Sequence, residues 1–212
     1  MKRIEDLREA YEAKKHEIKK RLKEFESVIN GSDEDIFAEL AFCICTPQSK
    51  AEICGLAVEA LKKNNILYRG DSDEIRPFLN AVRFSKTKAG RIVEARELFT
   101  KGGKLAIKGK IFSFKAPDEL RVWLAENVKG IGMKESSHFL RNIGLGTGFA
   151  ILDRHIMKNL KEFGVIDKIR PLTKKRYLET EMLMGKFADT AGIPMEELDL
   201  LFWSEETGKI FK

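Results

Sequence analysis

The chain has 212 residues, and its 39 Lys and Arg residues against 33 Asp and Glu residues give a net charge of +6. Hydrophobic residues make up 43% and charged residues 34%, which excludes a disordered chain and leaves room for one or two globular domains. No apolar run approaches the roughly 18–20 residues of a membrane span, and the amino-terminal stretch has no apolar signal-peptide core, so we expect a soluble, cytoplasmic protein with no membrane partner.

The first predicted element is a long helix over residues 3–29. Its apolar side chains recur at spacings of three and four, which is typical of a helix with one buried face: Ile4, Leu7, Tyr11, Ile18, Leu22 and Phe25. Similar patterns predict further helices at residues 34–45, 48–63, 73–81, 86–100, 117–127, 133–143, 154–163, 173–190 and 195–203. Several have suitable caps or first-turn residues: Ser32, Ser72, Pro117, Thr173 and Pro194. Only short pieces such as residues 111–114 look extended, so the sequence predicts an all-α fold.

The chain contains three cysteines, all in the second and third predicted helices: Cys43, Cys45 and Cys54. Their odd number and their apolar surroundings favour buried thiols over disulfides or metal ligands. The three histidines are scattered along the chain: His16, His138 and His155. We therefore predict no metal site and no cofactor.

Positive charge is concentrated in two segments. Residues 83–115 contain ten Lys or Arg and two Glu, a local charge of +8, and residues 154–176 contain eight basic and two acidic residues, a local charge of +6. Residues 187–208 contain six acidic residues and no Lys or Arg, a local charge of −6. Concentrated positive charge indicates a polyanionic partner such as nucleic acid, although a lysine-rich solvated surface would give the same pattern.

Residues 128–155, VKGIGMKESSHFLRNIGLGTGFAILDRH, form the most informative segment. In it, a short turn with Gly130 and Gly132 joins two predicted helices. Two glycines in one turn let the backbone approach a ligand closely, and N–H groups at the start of a helix bind phosphate oxygens. An ordinary helix–helix turn is the alternative. Two further residues favour the functional interpretation: Lys134 lies in the first turn of the second helix, and Asp153 follows a glycine-rich loop.

The turn resembles the hairpin of the helix-hairpin-helix DNA glycosylases, whose usual form is L-P-G-[IV]-G-x-[KT]. Four residues match the pattern, and Lys129 stands where the pattern has Pro: the matches are Gly130, Ile131, Gly132 and Lys134. In that superfamily a [VL]-D-x-H segment follows a glycine-rich loop, and this chain has it at the expected distance: Leu152, Asp153, Arg154 and His155. The resemblance covers most of the chain in helix order. It implies a two-lobed fold with the active site in the cleft between the lobes.

The resemblance implies that Lys134 and Asp153 are the catalytic residues. Cleavage of an N-glycosidic bond develops positive charge on the deoxyribose, so a carboxylate such as Asp153 stabilises the transition state and can deprotonate the nucleophile. An amine such as Lys134 can attack C1′ and form a Schiff base, after which β-elimination cleaves the strand. Taken singly, Asp153 could be only the N-cap of the next helix, and Lys134 only a solvent-exposed residue or a phosphate contact.

The cysteine positions narrow the choice within the superfamily. Members with an iron–sulfur cluster hold it with four cysteines near the C-terminus, and this chain has no cysteine after Cys54, so we predict no cluster. A short, cluster-free chain with Lys134 resembles the compact archaeal-type 8-oxoguanine DNA glycosylases. This resemblance implies that Phe84 and Trp203 stack on the extruded base, and that the terminal carboxylate of Lys212 accepts hydrogen bonds from guanine N1–H and N2–H₂. Phe84 and Trp203 could instead be core residues.

Further residues are predicted to contact DNA. In the segment CTPQSK, relatives carry a polar residue that enters the duplex, and Gln48 has the reach and the amide to fill the gap left by an extruded base. The competing interpretation is a helix that starts at Thr46 and Pro47; both interpretations are compatible. Contacts to the phosphate backbone are predicted for four residues: Lys129, Gly130, Gly132 and His155.

Together these observations predict two lobes, one of residues 51–146 that ends in the hairpin motif and one that combines residues 1–50 with 147–212. The predicted function is excision of 8-oxoguanine from double-stranded DNA, followed by strand cleavage at the apurinic site, by a monomer acting in base excision repair. Two alternatives are the same chemistry on another damaged base and a non-catalytic helix-hairpin-helix module that only binds DNA. A binding module has no use for the pair of Lys134 and Asp153.

Overall fold

The computed structural model describes residues 2–211. This part of the chain forms twelve α-helices, one short 3-10 helix (Arg76–Leu79) and a two-stranded antiparallel ribbon of β1 (Thr100–Lys101) and β2 (Lys104–Leu105). The helices are α1 (Ile4–Val28), α2 (Asp33–Cys45), α3 (Ala51–Lys63), α4 (Ile66–Arg69), α5 (Ser72–Ile75), α6 (Ser85–Leu98), α7 (Ile107–Ile111), α8 (Pro117–Asn127), α9 (Met133–Asn142), α10 (Arg154–Glu162), α11 (Lys174–Ala191) and α12 (Met195–Thr207). The predicted all-α fold is confirmed. Within residues 2–211 no helix is long and apolar enough to cross a membrane.

Local sequence explains where several helices begin. At the start of α2, Ser32 Oγ accepts a hydrogen bond from the Asp35 N–H at 3.1 Å, and the Asp35 carboxylate accepts one from the Ser32 N–H at 3.2 Å. Thr173 Oγ1 accepts from the Arg176 N–H at 3.3 Å and so caps α11. Pro117 is the first residue of α8, where its missing N–H has no cost.

Two local predictions are wrong. Residues 111–114 are not extended, because α7 occupies the chain up to Ile111 and the extended pair lies earlier, in β1 and β2. The third helix begins at Ala51 instead of residue 48, and Thr46 is the C-cap of α2. The reason lies at Gln48, whose φ of 57° is left-handed and incompatible with an α-helix.

Buried hydrophobic side chains form two clusters. The first contains residues between Ile36 and Phe149, and the second combines residues of α1, such as Ile18, with residues of α10, α11 and α12. Most residues of α2 are buried, so this helix lies inside the first cluster, not with the N-terminal helix as the predicted division at residue 50 requires. We propose lobes of about residues 29–149 and of 2–28 together with 150–211.

The start of α9 lies where the two lobes meet. Ile131, just before the helix, belongs to the first cluster, and Met133, its first residue, packs against the second. A buried ion pair also joins the lobes, with Arg121 of α8 2.7 Å from Glu181 of α11. The hairpin motif therefore presents its second helix to the junction between the lobes.

Candidate active site between the lobes

The hairpin between α8 and α9 has the predicted shape. Val128 and Ile131 are buried and hold the turn against the first cluster. Gly130 has a φ of 88°, and a Cβ at this position would lie 2.7 Å from Cδ of Arg91. Only glycine fits here, both for its backbone conformation and because the Arg91 side chain of α6 lies against the turn. The guanidinium adds positive charge beside the hairpin.

Glu135 connects the hairpin to the predicted nucleophile. Its Oε2 accepts a hydrogen bond from the Gly132 N–H at 3.2 Å, and its Oε1 lies 3.0 Å from Lys134 Nζ. The Gly132 amide is therefore engaged within the protein. The Lys134 side chain is 25% exposed, so its amine is half-buried but open to a ligand. Glu135 was not among the predicted site residues.

Asp153 is both half-buried and the N-cap of α10. Its Oδ1 accepts hydrogen bonds from the His155 N–H at 2.8 Å and from the Ile156 N–H at 2.9 Å. These bonds confirm the capping interpretation. Because both bonds go to Oδ1, capping does not occupy Oδ2, and the carboxylate keeps one oxygen for another task.

The segment that leads to Asp153 is fixed from two sides. Tyr177 of α11 donates a hydrogen bond to the Ala150 carbonyl at 2.5 Å, and the Glu181 carboxylate accepts one from the Ala150 N–H at 2.8 Å. Earlier in the loop, a Cβ at Gly146 would lie 2.5 Å from Cα of Arg141. The glycine lets the loop fold back onto α9, which returns the chain towards the residues at the start of that helix.

A buried ion pair joins α9 to α12. Arg141 of α9 donates a hydrogen bond to Asp199 of α12, and both side chains are almost completely buried. Burial raises the pKa of Asp199 to about 6, the positive charge of Arg141 opposes this, and the negative charge of Asp153 adds to it. The positive charge of Lys134 lowers the same pKa. The charges of Lys134 and Asp153 therefore both influence the buried Asp199.

The structure places Gln48 and Phe84 on two exposed loops. Gln48 is exposed between α2 and α3, and Phe84 is 55% exposed directly before α6, so Phe84 is not a core residue. Ser49 Oγ accepts a hydrogen bond from the Arg83 N–H at 3.1 Å, which makes the two loops neighbours.

Trp203 faces the C-terminal segment. It is half-buried on α12, and its ring centroid lies 6.3 Å from that of Phe211. Arg21 of α1 donates a hydrogen bond to the Phe211 carbonyl at 3.1 Å, which holds this segment against the first helix. Lys212, the predicted acceptor for guanine, lies outside the described residues.

Lys129 and His155 differ in their exposure to solvent and in their contacts within the protein. Lys129 is 73% exposed and its Nζ lies 3.0 Å from Glu94, so it is accessible on the hairpin surface. His155 is more enclosed: its Nδ1 lies 3.7 Å from the Glu206 carboxylate, and its Nε2 accepts a hydrogen bond from Arg154 at 3.1 Å.

Comparison with known proteins decides the family. The family model described as 8-oxoguanine DNA glycosylase matches residues 18–193. The chain belongs to this family. An 8-oxoguanine DNA glycosylase/AP lyase of Fusobacterium nucleatum is 44% identical over 209 residues, which cover 98% of this chain and 96% of the relative. One of Methanocaldococcus jannaschii is 37% identical over 215 residues, which cover 100% of this chain and 99% of the relative.

Solved structures of family members have the same fold. The Methanocaldococcus jannaschii 8-oxoguanine glycosylase/lyase in complex with 15mer DNA containing 8-oxoguanine superposes with a TM-score of 0.87 at 34% identity, covering 97% of this chain and 99% of that one. The 8-oxoguanine DNA glycosylase of Thermotoga maritima superposes with a TM-score of 0.83 at 33% identity, covering 99% of this chain and 98% of that one. The predicted family membership and the two-lobed helix-hairpin-helix fold are confirmed.

Sequence reasoning did not single out several residues that the structure shows in buried or turn-fixing contacts. Glu135 carried a usable signal, because a Glu at the third position of a helix commonly accepts a hydrogen bond from the N-cap amide. No local sequence signal indicated the pair of Arg141 and Asp199, because the two residues are 58 positions apart and are brought together only by tertiary packing. Lys88 is also buried, and it looks in the sequence like any other residue of a basic segment.

Proposed function

We propose that this chain excises 8-oxoguanine from double-stranded DNA and then cleaves the strand at the apurinic site. The observation that carries the proposal is the half-buried Lys134 amine at the start of the hairpin's second helix, with the charges of Lys134 and Asp153 both acting on the buried Asp199. Relatives over nearly the full chain are named 8-oxoguanine DNA glycosylase/AP lyase. A non-catalytic hairpin module needs the glycines but not this amine–carboxylate arrangement.

The first step is attack of neutral Lys134 on C1′ of the damaged nucleotide. The ammonium first gives up a proton, and Glu135 Oε1, 3.0 Å away, is within reach to accept it. A bond forms between Lys134 Nζ and C1′ while the bond from C1′ to the base breaks, and the base leaves with the electron pair. The free oxygen of Asp153 stabilises the positive charge that develops on the sugar.

The second step is β-elimination from the covalent intermediate. Loss of a further proton from the nitrogen and opening of the sugar ring give a protonated imine between Lys134 and C1′. The imine acidifies the C2′ proton, and removal of that proton breaks the bond between C3′ and its phosphate oxygen. Hydrolysis of the imine releases the nicked strand and restores Lys134.

The remaining site residues bind and open the duplex. We assign contacts to the DNA phosphate backbone to the exposed Lys129, to Gly130 and to His155, with the guanidinium of Arg91 adding positive charge beside the hairpin. Gly132 contributes by its lack of a side chain, which lets a phosphate approach, because its N–H already donates to Glu135. Gln48, on its exposed loop, fills the gap left by the extruded base. We assign recognition of that base to three residues: Phe84, Trp203 and Lys212.

We further propose that the protein works as a monomer, without an iron–sulfur cluster and in the compartment that holds genomic DNA. The three cysteines are buried thiols in the first lobe, and none is in the C-terminal region where cluster-bearing members of the superfamily have them.

Borohydride trapping tests the proposed function. The protein is incubated with a duplex that contains 8-oxoguanine, or with a duplex that contains an abasic site, and borohydride reduces the imine to a stable covalent adduct. We expect an adduct on both duplexes with the wild type and none with Lys134→Gln. Lys63→Gln is a matched control, since Lys63 is exposed at the end of α3, and it should form as much adduct as the wild type.

The possible outcomes separate the alternatives. An adduct on abasic DNA but not on 8-oxoguanine would retain the lyase chemistry and overturn the proposed substrate. If the Lys134→Gln variant still formed the adduct, the nucleophile would be another amine. If the protein bound DNA but formed no adduct on any duplex, it would be a non-catalytic binding module.

A further inference from the structure

Lys88 is a buried lysine that the proposed mechanism does not use. It lies on α6 with only 1% of its surface exposed. Its ammonium donates three hydrogen bonds: to the Cys45 carbonyl at 2.6 Å, to the Pro47 carbonyl at 2.7 Å and to Ser49 Oγ at 3.0 Å. An ammonium has three N–H donors, so all of them are engaged. Burial lowers the pKa of Lys88, and the three acceptors compensate for the lost solvation.

Two of these acceptors, Pro47 and Ser49, belong to the loop that carries Gln48, and the third, Cys45, is the last residue of α2. The loop joins α2 to α3, and two of the three hydrogen bonds from Lys88 are to the residues on either side of Gln48. Gln48 itself is exposed and has a φ of 57°, a conformation that non-glycine residues rarely adopt. Such a conformation persists only where the surrounding structure holds it. Here the Ser49 N–H donates to the Thr46 carbonyl at 3.0 Å across the turn, and the Lys88 ammonium bonds the residues on both sides of Gln48.

The same cluster also holds the loop that carries Phe84. Phe84 has a φ of 60° and is 55% exposed, so it too is a left-handed residue with a side chain that projects from the protein. Its neighbour Arg83 donates its backbone N–H to Ser49 Oγ at 3.1 Å, and the same hydroxyl accepts the bond from Lys88. One serine oxygen therefore connects both loops to one buried ammonium.

We propose that Lys88 is a positioning residue that holds Gln48 and Phe84 as one rigid unit for extrusion of the damaged base. The inference rests on the proposed function, which assigns gap filling to Gln48 and base stacking to Phe84. Extrusion has a cost in free energy, and groups that are already ordered lose no conformational entropy when they meet the DNA. Lys88 is not a second nucleophile, because its three N–H groups are engaged and it is closed to solvent.

Replacement of Lys88 by methionine tests the positioning role. Met fills a similar volume but donates no hydrogen bonds, so the two loops lose their common anchor. We expect excision of 8-oxoguanine from duplex DNA to fall about 30-fold under single-turnover conditions. Trapping on abasic DNA, which contains no base to stack on Phe84, should fall at most about threefold. A general loss of folded protein would lower both activities equally, so the ratio of the two activities reports positioning.

A double-mutant cycle gives a sharper readout. Gln48→Ala and Phe84→Ala should each lower excision in the wild-type background, and each should have a smaller effect in the Lys88→Met background, because the loops there are already disordered. Ser49→Ala keeps Lys88 and its two carbonyl acceptors but breaks the connection to Arg83. It should lower excision about threefold to tenfold and spare abasic trapping.

Arg8→Met is the matched control. Arg8 donates hydrogen bonds to the carbonyls of Ala191 and Thr190, both at 2.9 Å, in the second lobe, so the change also removes charged donors from backbone acceptors. It should leave the ratio of excision to trapping unchanged. Thermal melting of every variant establishes that it is folded. If Lys88→Met does not melt cooperatively, the ratio of excision to trapping in Ser49→Ala tests the positioning role instead.

The results that would overturn the inference differ from those that would overturn the proposed function. Equal loss of excision and trapping in Lys88→Met, or strictly additive effects in the double-mutant cycle, would refute the positioning role while the wild type remains active. Absence of excision by the wild type itself would refute the proposed function and, with it, this role for Lys88.

Discussion

Lys134 and Glu135, consecutive residues at the start of α9, form an ion pair in which Lys134 Nζ lies 3.0 Å from Glu135 Oε1. The other oxygen of Glu135 accepts the Gly132 N–H, so the carboxylate is fixed relative to the hairpin. In the proposed mechanism this carboxylate accepts the proton that the amine gives up when substrate arrives. Glu135 thus couples the hairpin backbone to the nucleophile.

Glu135→Gln should slow formation of the covalent intermediate. Glutamine can still accept the Gly132 N–H but cannot take a proton from the Lys134 amine. We expect single-turnover borohydride trapping on abasic DNA to slow by roughly 100-fold relative to the wild type. Glu94→Gln, which removes the partner of Lys129, should leave the trapping rate unchanged. Equal trapping rates for Glu135→Gln and wild type would contradict the coupling.

The two roles of Asp153 can be separated by substitution. Asparagine is an equally good N-cap, so Asp153→Asn should change the free energy of unfolding by less than about 0.5 kcal/mol while excision falls about 100-fold or more. Asp153→Ala should lose the same activity and also about 1 kcal/mol of stability. Urea unfolding and single-turnover excision measure the two effects. Thr173→Ala, which removes the cap of α11, should lose stability alone, and undiminished excision by Asp153→Asn would exclude a catalytic carboxylate.

The buried pair of Arg141 and Asp199 should show strong coupling in stability. Replacement of either residue alone leaves an unpaired buried charge, so Arg141→Met and Asp199→Leu should each destabilise the protein by about 3–5 kcal/mol. The double variant should be more stable than either single variant, because no unpaired charge remains. Chemical unfolding of the four proteins completes the cycle. Additive losses would show that the pair makes no net interaction.

The buried thiols predict an alkaline loss of stability. Burial raises the pKa of Cys54 to about 11 and that of Cys45 to about 12, from an ordinary value of 9.0. The folded state therefore retains these protons where the unfolded state releases them. This contribution to stability is complete below about pH 9 and is lost as the pH rises through about 11–12. Thiolate absorbance should stay flat to about pH 10 in the native protein and rise near pH 9 in the denatured protein; a native titration near 9 would refute the burial effect.

Much of the architecture was predictable because it depends on local sequence. The hairpin, the helices on either side of it and the caps at Ser32, Thr173 and Asp153 follow from spacing and side-chain chemistry over a few residues. The predicted start of the third helix lies too early in the chain, because no local signal shows that Gln48 has a left-handed backbone conformation. The residues on both sides of Gln48 accept hydrogen bonds from Lys88, which lies 40 positions further along the chain.

The amino-acid sequence was sufficient for the family, the all-α fold and the candidate pair of Lys134 and Asp153, since each rests on residue types at short, characteristic separations. Tertiary structure alone decided which helices share a hydrophobic cluster, which distant charges pair in the interior and which lysine is buried. Those features depend on packing between distant segments. A lysine that donates three hydrogen bonds in the protein interior and a lysine on the surface cannot be distinguished in the sequence. Only the surrounding structure gives them different solvation energies and different roles.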